Sequence, residues 1–124
     1  MINIIHKELA SGKWFIMSLR EQLANIGSEV YRSINWFRKK DNERFQKAFE
    51  RALELFDLTL EDPRWKMRTK EITRTRELFC SLLVESEKYE NIEYEFDAMN
   101  KYFLDFGIAY RIQRDRENLA NTKQ

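Results

Sequence analysis

The chain has 124 residues, a formal charge of +1, and only one Cys, one His, one Pro and three Gly. Hydrophobic residues at 43% and aromatics at 14% are enough for a real core, and 35% charged residues account for the low mean hydropathy of −0.69. Too few β-branched residues and too few turn formers are present for an all-β domain. Cys80 has no partner for an internal disulfide, which fits a reducing cytoplasm. No apolar run reaches the length of a membrane span or a signal-peptide core, so no membrane association is expected.

Residues 1–17 read as a short arm, with Ile2, Ile4, Ile5 and Leu9 ahead of Trp14-Phe15-Ile16-Met17 and a break at Ser11-Gly12. Ser18-Leu19-Arg20-Glu21 matches a capping box. The first long helix is predicted from there to about Lys39, with Leu19, Leu23, Ile26, Val30, Ile34 and Phe37 as its apolar stripe. After a very short turn at Lys40, Asp41 caps a second helix. Its stripe is Phe45, Phe49, Ala52, Leu53, Phe56 and Leu60, and Asp62-Pro63 ends it.

A third helix is predicted over roughly 64–84, with Trp65, Ile72, Phe79, Leu82 and Leu83 inward. A polar acidic loop fills about 85–92. A fourth helix runs from about 93 to 115 on Phe96, Met99, Phe103, Phe106 and Tyr110, and residues 116–124 should fray. Short connections make neighbours antiparallel. The expected fold is all-α: one up-down-up-down four-helix bundle over residues 1–124, with a short N-terminal arm.

The chemistry on offer is limited. His6 alone cannot build a histidine zinc site or a Glu-x-x-His di-iron site. No nucleophile elbow or Gly-rich phosphate loop occurs. Cys80, next to Phe79, reads as a small buried hydrophobe. Glu50, Glu54, Asp57 and Glu61 share one helix face, where they could hold a divalent metal, act as an acid–base pair, or simply be solvated and ion-paired. The reading is a non-enzyme with no catalytic residue, no cofactor and no resident metal.

Partners are signalled more clearly. Leu55 and Leu58 on the second helix, and Tyr102, Leu104, Ile108 and Ile112 on the fourth, lie off the main stripes. A bundle monomer needs one buried face per helix, so Leu55, Leu58, Leu104, Ile108 and Ile112 are read as an oligomer interface, the alternative being that the N-terminal arm covers these surplus faces. Charge is unevenly placed as well. Residues 64–76 carry Arg64, Lys66, Arg68, Lys70, Arg74 and Arg76 against Glu71, while residues 85–97 carry six acids against Lys88. The basic run, with Lys66, Lys70 and Arg74 as a ridge if helical, suits a phosphate backbone or an acidic protein surface, in the same chain or the next subunit. The sequence therefore predicts a cytoplasmic, self-associating assembly or adaptor protein. A protein partner is one option, and nucleic-acid binding through the ridge is the alternative.

The stretches SLREQLANIGSEVYRSINWFRKK (18–40), FQKAFERALELFDLTLEDPRW (45–65) and RTRELFCSLL (74–83) resemble a group of small uncharacterised prokaryotic proteins. NIGSEVYR is also similar to an Asn-Ile-Ala-Glu-Gly-x-x-Arg motif, matched here at Asn25, Ile26 and Arg32. That motif belongs to a four-helix-bundle family that includes the proteins of ribosomal-RNA intervening sequences and the accessory proteins of diversity-generating retroelements. The second resemblance implies a bundle that assembles as a homopentamer, and in its retroelement member a protein that works with reverse transcriptase and RNA.

Overall fold

A computed structural model describes residues 12–122 of the chain. His6 and most of the expected arm lie outside the described residues. Four long helices follow one another: α1 (Leu19–Arg38), α2 (Asn42–Glu61), α3 (Thr69–Val84) and α4 (Ile92–Thr122). Among the described residues there is no strand, and no helix is long and apolar enough to cross a membrane. The all-α four-helix bundle of the sequence reading is therefore the fold.

The helix boundaries follow from local chemistry. Ser18 Oγ accepts the Glu21 N–H at 3.1 Å and starts α1. Lys40 takes a left-handed φ of 59° after the end of α1, where glycine is more usual, and Asp41 Oδ1 then accepts the Arg44 N–H to start α2. So short a turn forces α1 and α2 to lie antiparallel.

Two boundaries differ from expectation. Residues Pro63–Arg68 wind as a tighter 3-10 segment, with Trp65 off helical geometry at φ −105°, ψ 20°, so α3 begins only at Thr69. Asp62 and Pro63 start that segment, as the sequence indicates, but the turn is interrupted before an α-helix can establish itself. At the other end, α4 continues to Thr122 instead of fraying from 116. Residues 114–122 carry Arg, Glu, Leu and Ala without Gly or Pro, so nothing in their covalent chemistry stops the helix.

The core sits between the stripes. Leu23, Ile26, Val30 and Ile34 from α1 meet Ala52, Leu55 and Phe56 from α2, Ile72, Phe79 and Leu82 from α3, and Phe96, Met99 and Phe103 from α4. Phenyl rings tie the helices together. Phe37 lies 5.7 Å from Phe45 and 5.6 Å from Phe96, Phe49 lies 5.3 Å from Phe79, and Phe56 lies 5.9 Å from Phe79 and 6.0 Å from Phe103. Each such pair contributes about 0.5–1.5 kcal/mol beyond its buried area.

The most extensive helix packing is of α1 against α2 and against α4. Gly27 explains the second. A Cβ built there would stand 2.5 Å from Phe103 Cβ, inside any real contact distance. Gly27→Ala should therefore destabilise the fold despite alanine's better helix propensity. The expected net loss is about 1–3 kcal/mol, read as a lower urea midpoint with an unchanged slope. A midpoint at or above that of the parent would show that α1 and α4 separate freely.

Candidate functional site

The outer side of α4 carries apolar residues in helical register. Leu104 is 59% exposed, Ile108 45%, Ile112 49% and Leu119 61%. They lie on the side away from Phe96, Met99 and Phe103, which are buried. Beyond Gln113, which accepts a 3.4 Å hydrogen bond from Arg20, residues 114–122 are all exposed. Isolated helix of that length is marginal in water, so this end of α4 draws its order from the anchored part.

Leu55 and Leu58 do not belong to this surface, and their assignment to an oligomer interface is corrected. They are only 3% and 8% exposed. α2 is covered by α1 on one side, and by α3, the Trp14 turn and the 63–68 segment on another, so its second apolar face is spent inside the molecule. Tyr102, also off the main stripe, is half-buried against Phe103 and Phe106 and donates to Glu71 at 3.0 Å. Of the predicted interface, Leu104, Ile108 and Ile112 remain exposed, and Leu119 joins them.

An open groove of about 780 Å3 runs between α1 and α4 beside this stripe. Small residues Ala24, Gly27 and Gly107 line it together with Tyr31, Leu104 and Arg111. Leu104 belongs to both surfaces. Asn100 Oδ1, also in the groove lining, is buried without a hydrogen-bond partner.

The 64–76 basic run is dispersed by the fold. Arg64 pairs with Asp62 at 2.7 Å, donates to the Met17 carbonyl at 2.7 Å and lies over the Trp65 ring at 4.5 Å. Arg68 pairs with Glu71 at 2.9 Å and Arg76 with Asp57 at 3.0 Å. These three arginines are partly neutralised. Lys66 falls in the 3-10 segment, outside the α-helical register of Lys70 and Arg74, which corrects the single ridge expected from the sequence. Among the described residues the side chains of Lys66, Lys70 and Arg74 have no ion-pair or hydrogen-bond partner.

A buried polar cluster was not foreseen. The Trp14 indole N–H donates to Thr59 Oγ1 at 3.1 Å. Gln22 is fully buried. Its amide donates to the Trp14 carbonyl and to Asp62 Oδ2, each at 3.0 Å, while its oxygen accepts the Trp65 indole N–H at 2.9 Å. The Arg64 guanidinium, and then Gln22, hold the Asp62 carboxyl below the usual carboxylate range. Every polar atom named here has a partner inside the protein, so the cluster fastens the Trp14 turn to α1 and to the end of α2. The only signal in the sequence was a glutamine at a core-facing position, between Leu19 and Ile26.

The remaining sequence candidates are dispersed too. Asp57 pairs with Arg76, and Glu50 accepts from Gln46 at 3.2 Å. Among the described residues no group of three or more His, Cys, Asp or Glu is placed to hold a metal. Burial pushes the Cys80 thiol up, away from the reactive thiolate.

Among the described residues these observations define a class, an all-helical bundle with one long helix presenting an exposed apolar face. Compared with known proteins, the chain matches no family model, no curated protein and no solved structure.

Proposed function

We propose that the protein is a non-enzymatic assembly or adaptor module that self-associates through the outer face of α4. The exposed stripe of Leu104, Ile108, Ile112 and Leu119 is the observation that carries this reading. Burying such side chains contributes about 1.5–3 kcal/mol each, and the adjoining groove, lined by small residues, allows a second backbone to come close. The raised Cys80 thiol and the internally satisfied polar cluster give no support to a catalytic reading.

Light scattering after size exclusion at near-physiological salt tests it. The parent chain should run as a defined oligomer. Ile108→Asp/Ile112→Asp should weaken association by about a hundredfold or more while keeping the helical circular-dichroism signal. A parent chain that stays monomeric up to about 100 μM overturns the reading. A count of five subunits would accord with the accessory-protein resemblance. Nucleic-acid binding through Lys66, Lys70 and Arg74 is the second reading, left with the three cations of the basic run that have no partner among the described residues. It requires an affinity for oligonucleotides that falls steeply with salt.

A further inference from the structure

The basic run and the acidic run stand at opposite ends of α3. Lys66, Met67, Lys70 and Arg74 lie at its start, and Val84, Glu87, Glu90, Tyr94 and Glu95 lie at or beyond its end. From Arg74 to Val84 α3 rises about 15 Å, and the outer members of the two patches stand farther apart. That is about two Debye lengths at physiological salt, so one patch is largely screened from the other within a molecule. The local ion pairs respect this division. Cations of the first patch use Asp62, Glu71 and Asp57, and acids of the second use Lys88 and Arg38. After that pairing, Lys66, Lys70 and Arg74 are left at one end and Glu87, Glu90 and Glu95 at the other, with no ion-pair or hydrogen-bond partner for their side chains among the described residues. Each end also has exposed apolar side chains: Met67 at 96% beside the cations, Val84 at 67% and Tyr94 at 66% beside the acids.

We infer that the acidic end of one copy docks on the basic end of the next, in a head-to-tail contact separate from the α4 face. Three unpaired cations meet three unpaired carboxylates, and Met67, whose flexible thioether adapts to irregular surfaces, meets Tyr94 and Val84. Each contact pairs two unlike patches. Made once between each pair of copies it propagates to a ring or a filament, and made twice about a two-fold axis it closes as an antiparallel dimer. The inference deepens the self-association reading but uses other residues, so either can fail alone.

The test is made in full-length Ile108→Asp/Ile112→Asp protein, in which the α4 contact is removed. Sedimentation velocity is run from low to high concentration in about 50 mM and about 500 mM salt. This parent should self-associate at low salt and weaken about tenfold or more at high salt. Two charge-reversed proteins are then made, Glu87→Lys/Glu90→Lys/Glu95→Lys and Lys66→Glu/Lys70→Glu/Arg74→Glu, with melting curves to confirm folding. Each alone should be monomeric where the parent associates, because its two ends now carry like charge. Mixed in equal amounts, the two should associate again, about tenfold or more above either alone. Reversed proteins that associate like the parent, or a mixture that stays monomeric, overturn the inference. A parent monomeric at low salt overturns it too, while an oligomeric unsubstituted chain would leave the α4 reading standing. Association in this parent, with no loss relative to the unsubstituted chain, would sink the α4 reading instead. Oligonucleotide binding lost only in the Lys66→Glu protein, with self-association unchanged, would assign the basic end to nucleic acid and overturn the inference.

Discussion

Trp14→Ala should lower the unfolding free energy by about 3–5 kcal/mol, the largest single loss expected in the described chain. The indole is fully buried although it lies outside the four long helices. Its removal leaves a cavity beside α2 and strands Thr59 Oγ1, itself wholly buried, without its 3.1 Å donor. The turn from Trp14 to Ile16 loses its anchor on α2. Thermal melting should show a drop of about 10 °C or more. Trp14→Phe separates the two contributions, since it keeps most of the volume and removes the hydrogen bond. A drop of only a degree or two in Trp14→Ala would mean that the Trp14 turn is not part of the cooperative core.

Asp62→Ala is the second large effect, at about 3 kcal/mol. The carboxylate starts the 63–68 segment through the Arg64 N–H at 3.1 Å, pairs with the Arg64 side chain and accepts from buried Gln22. Alanine leaves the Gln22 amide short of an acceptor in the core. The same carboxylate sets a pH dependence. Its folded pKa lies below the unfolded value of about 3.9, so its stabilising contribution is complete above that value and disappears as pH falls through the folded pKa. Urea midpoints of the parent should therefore decline from about pH 5 downward. Asp62→Asn should start lower at neutral pH and decline less over the same range. Parallel pH profiles for the two proteins would remove Asp62 as the source.

Much of this architecture was legible because helix stripes are local. The spacing of Leu23, Ile26, Val30 and Ile34 needs no knowledge of neighbours, nor do the caps at Ser18 and Asp41. What was not legible depends on what covers a face. Leu55 and Leu58 look surplus when α2 is read alone, yet both are buried in a bundle where α2 packs against α1, α3 and the Trp14 turn. Leu104, Ile108 and Ile112 look the same in sequence, yet nothing in the described chain closes over them. The basic run was read as a ridge because charge spacing shows cations but hides their pairing, Arg64 with Asp62 two residues before it and Arg76 with Asp57 brought in from α2. The end of α4 was misplaced for a simpler reason: polarity suggested fraying, whereas propensity without a breaker let the helix continue.

Lastly, α4 is one continuous helix of 31 residues, about 46 Å long, but its turns do not share one free energy. Around Phe96 and Phe103 its amides can open only when the core opens. Past Gln113 they are held by helical hydrogen bonds alone. Such a helix has a gradient of local stability along its axis, steepest where it leaves α1. Its outer turns can bend, unwind or be captured without disturbing the aromatic cluster, so the bundle is insulated from events at the far end of its longest element.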